Sequence, residues 1–207
     1  MFNVAYVDVN RNNFANVGCY TLPDGTQLFD IACIFAANIN DDNGRPVLYF
    51  NPQVSAVLNE SDDVKNLQAL GIKVLLTVLG NHQNAGWSCF SDQATAADFA
   101  NQLAECVEHY GLDGIDIDDE YSACETNDTS LIMVTYEMRQ AMPNKILSKA
   151  LFDDIDYFQS SWHNVVLAET LTNGWEMSYG DPDGAGRLAP GLPPLRLTRR
   201  VDVVQAA

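Results

Sequence analysis

Long apolar runs are absent from this sequence, and basic residues are scarce. No stretch of 18 or more apolar residues exists, so we expect no segment that spans a bilayer. The 28 acidic residues outnumber the 11 basic ones and give a formal net charge of −17. A field of that sign repels nucleic acid and anionic membranes, because both are polyanions. These absences do not exclude neutral substrates such as sugars.

A charged-then-apolar leader is also absent after Met1, where the sequence already has a strand-like pattern. We therefore expect either an intracellular protein or one whose leader has been removed. The five cysteines include no C-x-x-C pair, which argues against a zinc knuckle or a thioredoxin-type site. Their odd number leaves at least one free thiol in a monomer, and their pairing stays open. Cys33 lies in an apolar run and Cys106 in a helical pattern, so we expect both to be small buried side chains.

Apolar runs rich in β-branched residues alternate with helical patterns along most of the chain. The predicted strands are residues 4–9, 29–38, 73–80, 114–120, 145–151, 155–160 and, as a possible last one, 175–179. The predicted helices are residues 94–109, with Phe99, Leu103 and Val107 on one face, and residues 130–142, with Leu131, Val134 and Met138 on one face. This alternation predicts an α/β fold of the (β/α)8 TIM-barrel type.

The predicted barrel is incomplete, because a full one usually takes about 250 residues and only six or seven strands can be recognised here. We assign residues 1–179 to the barrel domain. Residues 180–207 hold four of the 13 glycines and four of the 8 prolines without a clear period. We expect this stretch to lie outside the packed fold, either as a disordered tail or as an unnatural, frame-shifted end.

A row of acidic residues occupies the predicted strand 114–120. Because side chains alternate along a strand, Asp116, Asp118 and Glu120 share one face, and Ile115 and Ile117 share the other. We expect the isoleucines to face the helices and the acids to face the barrel interior. Stacked carboxylates cannot all ionise freely, so some of their pKa values must rise, as a proton donor requires. Glu120 ends this strand, at the barrel mouth where active sites of such folds lie.

Two other interpretations of these acids remain open. They could form a hard-oxygen site for Ca²⁺ or Mg²⁺, although an extended strand lacks the turn spacing of such loops. They could also be structural acids, because carboxylates in ion-pair networks have shifted pKa values without any catalytic role. The strict alternation of the isoleucines argues against a fully solvated edge. Catalysis is the interpretation that we favour.

At these residues the chain resembles glycoside hydrolase family 18, whose fourth strand carries D-G-x-D-x-D-x-E. Asp113, Gly114, Asp116, Asp118 and Glu120 match that motif completely. Within the family, the segments 4–10, 34–40 and 73–83 resemble endo-β-N-acetylglucosaminidases of the endoglycosidase H type. The resemblance covers roughly residues 3–145.

The resemblance implies hydrolysis of the β-1,4 bond in the N,N′-diacetylchitobiose core of high-mannose N-linked glycans. It implies substrate-assisted retaining catalysis, in which Glu120 is the acid and base, Asp118 orients the acetamido group and Asp116 supports Asp118. It implies no metal and no cofactor, an N-linked glycan or glycoprotein as substrate, and an extracellular location. We expect a monomer with no nucleic-acid or membrane partner.

Several other residues are candidates for binding the substrate. Asn81 and His82 follow a predicted strand and would line the mouth, although polar loop residues are often only solvated and bind no substrate. The family has a tyrosine in or just after the sixth strand, where this chain offers Gln159 and Trp162, with Tyr157 deeper. Tyr179 ends the last predicted strand. The full set of candidates is Asn81, His82, Gln159, Trp162 and Tyr179.

Two loop aromatics, Trp87 and Phe90, could either stack on sugar faces or cap the core. Two functional alternatives to a working hydrolase also remain open. One is a carbohydrate-binding relative of family 18 with impaired catalysis, and the other is a truncated, inactive gene product.

Overall fold

The computed structural model describes residues 2–152, 155–176 and 197–199 of the 207-residue chain. The strands are β1 Val4–Asp8, β2 Ile31–Asp42, β3 Arg45–Tyr49, β4 Lys73–Gly80, β5 Gly114–Ile117, β6 Ile146–Leu151, β7 Asn173–Glu176 and β8 Leu197–Arg199. The helices are α1 Pro52–Asn59, α2 Asp63–Ala69, α3 Gln93–His109, α4 Ser130–Ala141, α5 Ile155–Gln159 and α6 Leu167–Thr170, with 3₁₀ helices at Phe14–Cys19 and Trp87–Cys89. No helix of the described part is long and apolar enough to cross a membrane.

One curled sheet organises the protein, with its strands in the order β1-β2-β4-β5-β6-β7-β8. All neighbours on this path are parallel, and β3 is an additional antiparallel strand paired with β2. The parallel strands from β1 to β7 form a half-barrel, which confirms the prediction of an incomplete TIM-barrel fold. Since β3 is an insertion, β5 is the fourth barrel strand, the one that the motif in the sequence predicts.

The two faces of the sheet bury different cores. The large outer core lies between the sheet and the helices and includes Ile115 and Ile117. A smaller apolar cluster on the inner face contains Val4, Tyr6, Ile31, Cys33, Leu75 and Trp175. Tyr6 and Phe35 pack edge-to-face there, with ring centroids 6.2 Å apart. The isoleucines of β5 therefore face the helices, as the alternation predicts.

The helices cover the outer face with the residues that their periodicity selects. Phe99, Leu103 and Val107 of α3 are buried, and so are Leu131, Val134 and Met138 of α4. Helix α3 begins where Asp92 caps it, since the Asp92 carboxylate accepts a hydrogen bond from the Thr95 amide. Both predicted amphipathic helices are confirmed.

The prediction of a strand at residues 155–160 is wrong, because this segment is the short helix α5. The Ser160 amide donates to the carbonyl oxygen of Asp156, four residues earlier, as in an α-helix. Burial does not alternate either, since Phe158 is buried while Asp156 is exposed on what would be the same strand face. The segment is therefore part of the helical connection after β6. The next described strand, β7, is the direct neighbour of β6 in the sheet.

This correction changes the place of the last predicted strand. The expected strand at residues 175–179 is β7, which begins at Asn173 and pairs with β6, so it is the sixth barrel strand rather than a terminal one. Most of residues 180–207 lies outside the described residues. The three described ones form β8, paired with β7, and the assignment of the whole stretch as a tail stays a prediction. The domain boundary at residue 179 stays a prediction.

Cys33 and Cys106 are buried, as predicted. Burial raises the pKa of the Cys106 thiol to about 12, so this thiol is kept protonated. The sequence leaves the pairing of the cysteines open, and the structure contains a disulfide between Cys89 and Cys124.

Candidate active site on the fourth barrel strand

The start of β5 is fixed by Asp113 and Gly114. A Cβ atom on Gly114 would overlap the carbonyl oxygen of Ile146, so only glycine lets β5 and β6 approach this closely. The Asp113 carboxylate accepts hydrogen bonds from the Val74 amide at 2.9 Å, Gln68 Nε2 at 2.8 Å and Lys73 Nζ at 2.9 Å. Burial alone raises the pKa of Asp113, but these bonds outweigh it and lower the pKa. Both residues thus hold β5 against its neighbours.

Asp116 lies on the inner face and is completely buried. Its carboxylate accepts hydrogen bonds from Thr77 Oγ1 at 3.0 Å, Ser148 Oγ at 2.6 Å and Trp175 Nε1 at 2.8 Å. Burial raises the pKa of Asp116, and hydrogen bonds from Ser148, Tyr6, Trp175 and Thr77 oppose the rise without cancelling it. This carboxyl group therefore holds its proton more strongly than an exposed aspartate does.

Asp118 and Glu120 continue the row towards the mouth. Strand β5 ends at Ile117, three residues short of the predicted end, but the backbone stays bonded to β4. The Asp118 amide donates to the Val78 carbonyl at 3.1 Å, and the Gly80 amide donates to the Glu120 carbonyl at 2.9 Å. The first bond continues the register of β4 and β5, which keeps Asp118 on the inner face with Asp116. The second bond joins Gly80 to Glu120 instead of Asp118, so the register shifts by two residues there, and the position of Glu120 on the same face stays a prediction.

Exposure rises along this row in the order that the sequence predicts. Asp116 is 0% exposed, Asp118 is 4% exposed and Glu120 is half-buried. The deepest acid is therefore sealed by protein, while the outermost one is open to solvent. A group that must reach a substrate would occupy the position of Glu120.

Asn81 and His82 lie beside the Glu120 segment. The His82 amide donates to the Tyr121 carbonyl at 2.6 Å, and the His82 and Tyr121 rings meet edge-to-face at 5.3 Å. Asn81 Nδ2 donates to Asn40 Oδ1 at 2.8 Å. The carboxyl ends of β2 and β4 and the segment after β5 therefore meet at one edge of the sheet, as parallel strands require.

Gln159 and Trp162 lie elsewhere. Gln159 is exposed at the end of α5. Trp162 packs against Tyr136 of α4, with ring centroids 5.5 Å apart, and stacks on His163 at 4.2 Å. Trp162 therefore belongs to the helix layer, because α5 replaces the strand that would have carried these residues to the mouth. Tyr179 lies outside the described residues.

The two loop aromatics belong to the core. Trp87 and Phe90 are buried and pack against Phe99, with ring centroids 5.7 and 5.6 Å away. Trp87 Nε1 also donates to the Val78 carbonyl at 2.8 Å. Of the two roles left open by the sequence, capping the core is therefore the one that the structure supports.

Asn38 and Asn40 are residues of the mouth that sequence reasoning missed. The pairing of β2 with β4 shifts register between Ile34 and Ala37, and Ile34, Ala37 and Ile39 all belong to the outer core. The shift turns the two asparagines inward, where Asn38 Nδ2 donates to the Gly80 carbonyl at 3.0 Å. Apolar and polar residues alternate over residues 37–40, which could have indicated that the two asparagines share a face. Which face they share depends on the register shift between Ile34 and Ala37, and the sequence does not show that shift.

In the described part of the chain, no three His, Cys, Asp or Glu side chains are grouped as ligands of a metal ion. The site instead has two buried carboxyl groups, those of Asp116 and Asp118, followed by the solvent-accessible one of Glu120. They lie on and just after the fourth strand of a parallel half-barrel. This combination is typical of barrel proteins of the glycoside hydrolase class that carry their acids on one strand.

Residues 3–167 match the family model of glycosyl hydrolases family 18, and the chain belongs to this family. It is 42% identical, over 98% of its length, to an endo-beta-N-acetylglucosaminidase of Flavobacterium sp. (strain SK1022). It is 35% identical, over 76% of its length, to endo-beta-N-acetylglucosaminidase F1 of Elizabethkingia meningoseptica.

Among solved structures, the chain is similar to EndoBT-3987 of Bacteroides thetaiotamicron with a Man5GlcNAc product. The TM-score is 0.78 and the identity 31%, over 85% of this chain and 44% of that one. The chain spans 66% and 50% of the length of the two curated relatives. The similarity therefore covers one part of larger proteins.

Proposed function

We propose that this chain hydrolyses the β-1,4 bond in the N,N′-diacetylchitobiose core of high-mannose N-linked glycans. The observation that carries the proposal is the graded row of Asp116, Asp118 and Glu120 at the carboxyl end of β5. Its similarity to endo-beta-N-acetylglucosaminidases supports this choice of substrate.

In the proposed mechanism, Glu120 protonates the glycosidic oxygen of the leaving sugar. The 2-acetamido oxygen of the substrate attacks the anomeric carbon as that bond breaks, and an oxazoline-like intermediate forms. The Glu120 carboxylate then takes a proton from water, which attacks the same carbon from the opposite face. Two inversions give net retention, and one protein carboxyl group acts as acid and then as base.

Asp118 and Asp116 would control the acetamido group. Asp118 is placed one step deeper than Glu120, where it would orient the acetamido nitrogen and stabilise its positive charge. Because the raised pKa of Asp116 favours its neutral form, a charged Asp118 would avoid repulsion from a second charge below it. Thr77, Ser148 and Trp175 keep Asp116 in place for this role.

Asn81 and His82 would bind the sugars at the rim, since they lie next to the Glu120 segment. Gln159 and Trp162 are left out of the proposed site because of their positions on and beside the helix layer. Tyr179 follows the end of β7 by three residues in the sequence, just after the sixth strand. Its role in binding the substrate stays a prediction.

The test is release of glycan from a high-mannose glycoprotein by the purified chain, measured as a mass shift of the substrate. We expect release by the wild type and a loss of at least about a hundredfold in Glu120→Gln, because the variant keeps the shape but cannot donate a proton. Glu125→Gln, an exposed change in the same loop, is the matched control. Glycan binding without release by a cooperatively melting wild type would favour a carbohydrate-binding protein instead.

A further inference from the structure

Asp119 is the one acid of the 116–120 segment that the proposed mechanism does not use. It lies between Asp118 and Glu120, and its carboxylate contacts Ser88, the residue after Trp87. Trp87 belongs to the outer core together with Ile115 and Ile117, so the Asp119 side chain lies on the side of the helix layer. A carboxylate in such surroundings needs hydrogen-bond donors.

Ser88 supplies such a donor. The Ser88 side chain, only 2% exposed, donates a hydrogen bond from its hydroxyl to Asp119 Oδ2. Tyr157 of α5 donates its own hydroxyl to Ser88 Oγ at 2.9 Å. A serine hydroxyl has one proton and two lone pairs, so it can accept from Tyr157 while it donates to Asp119. The result is a directed chain of hydrogen bonds from α5 through the 3₁₀ helix to the catalytic segment.

Ser88 is itself firmly held. The Trp87 ring is anchored to the Val78 carbonyl, and the next residue, Cys89, is bonded to Cys124. The Asn127 amide also donates to the Ser88 carbonyl at 2.9 Å. The Ser88 hydroxyl that donates to Asp119 thus belongs to a segment whose two neighbouring residues, Trp87 and Cys89, are both bonded to other parts of the fold.

We propose that Asp119 is a positioning residue whose bond to Ser88 sets the direction of the Glu120 carboxyl group. The Asp118 amide is held by the Val78 carbonyl, so rotation of the backbone at Asp119 would swing chiefly the Glu120 side chain away from the leaving oxygen. Holding the Asp119 carboxylate from the outer face opposes that rotation. The inference rests on the proposed function, since it assigns a role in protonating the leaving oxygen.

The test compares two substrates that differ in their need for an acid. One is a high-mannose glycopeptide, whose leaving sugar must be protonated. The other is the 2,4-dinitrophenyl β-glycoside of the same glycan, whose leaving group departs without a proton. Ser88→Ala and Asp119→Ala should lower kcat on the glycopeptide by about tenfold to a hundredfold, with KM nearly unchanged. On the dinitrophenyl glycoside kcat/KM, which reports only the steps up to departure of the leaving group, should fall by less than about threefold, whereas kcat/KM on the glycopeptide should fall as much as kcat does.

The double variant should be no slower than the slower single variant, because both changes remove one interaction. Ser91→Ala, an exposed serine in the same loop, is the control and should match the wild type. Equal losses on both substrates would indicate general damage and overturn the positioning role, as would unchanged rates in Ser88→Ala. A folded wild type that cleaves neither substrate would overturn the proposed function, and the positioning role with it.

Discussion

Asp113 and Asp116 lie three positions apart, yet the protein places their carboxyl groups in opposite electrostatic environments. Asp113 meets an amide, a glutamine and a lysine, and these partners lower its pKa. Asp116 meets only neutral donors in a sealed interior, and burial raises its pKa. The first acid therefore stabilises the strand through its charge, whereas the second is suited to holding a proton next to Asp118.

We predict that Asp113→Asn destabilises the fold at neutral pH but not in acid. Since the folded pKa lies below the unfolded value of about 3.9, the stabilisation is complete above that value and is lost as the pH falls through the folded pKa. The free energy of unfolding should fall by about 1–3 kcal/mol at pH 7, as for lost hydrogen bonds to a charge. Urea unfolding of the wild type and of Asp113→Asn, at neutral pH and in acid, measures this difference in the free energy of unfolding.

Asp128→Asn is the control for that experiment, because Asp128 is an exposed aspartate in a loop. It should leave the free energy of unfolding within about 0.5 kcal/mol of the wild type. A loss in Asp113→Asn that is equally large at pH 3 and pH 7 would contradict the electrostatic explanation. The cause would then be the shape of the substituted side chain.

At the scale of elements, the periodicity of the sequence predicted the features that depend on a single segment and on which of its faces is apolar. Helices α3 and α4 and the acid row of β5 follow from such local patterns. Residues 155–160 were misassigned because a short apolar run fits a strand or a helix equally well. Its helical form follows from its position after β6, where the chain must return along the sheet.

Features that depend on contact between distant segments could not be predicted in this way. The Cys89–Cys124 disulfide joins residues 35 positions apart in sequence, and the five cysteines allow several pairings. The inward direction of Asn38 and Asn40 depends on a register shift against β4. The bond from Ser88 to Asp119 needs the loops after β4 and β5 to lie side by side.

We predict that the disulfide between these two loops stabilises the fold substantially. Closing a 35-residue separation in the unfolded chain corresponds to about 3–4 kcal/mol. The double variant Cys89→Ala/Cys124→Ala should therefore lose about that much free energy of unfolding in urea titrations. Cys19→Ala removes an exposed free thiol and should change nothing. Identical urea midpoints for the double variant and the wild type would refute the prediction.

At the scale of the whole molecule, the charge of −17 acts on everything that approaches. The ion pairs of the described residues involve partly exposed side chains and do not change the net charge. Exposed charges are screened by salt within about 10 Å at 0.1 M. The field should therefore attract basic glycoproteins, repel acidic ones and leave neutral glycans unaffected.

This field predicts different salt responses for two substrates with the same glycan. On a basic high-mannose glycoprotein, kcat/KM should fall severalfold between about 0.02 and 0.3 M NaCl, because screening removes the attraction. On a neutral high-mannose glycopeptide, kcat/KM should stay constant, since the protonation step proposed for Glu120 involves no long-range charge. The variant Glu60→Gln/Glu105→Gln/Glu108→Gln removes three exposed acids and should weaken the first response but not the second. Equal salt sensitivity on both substrates would instead place the effect at the site itself.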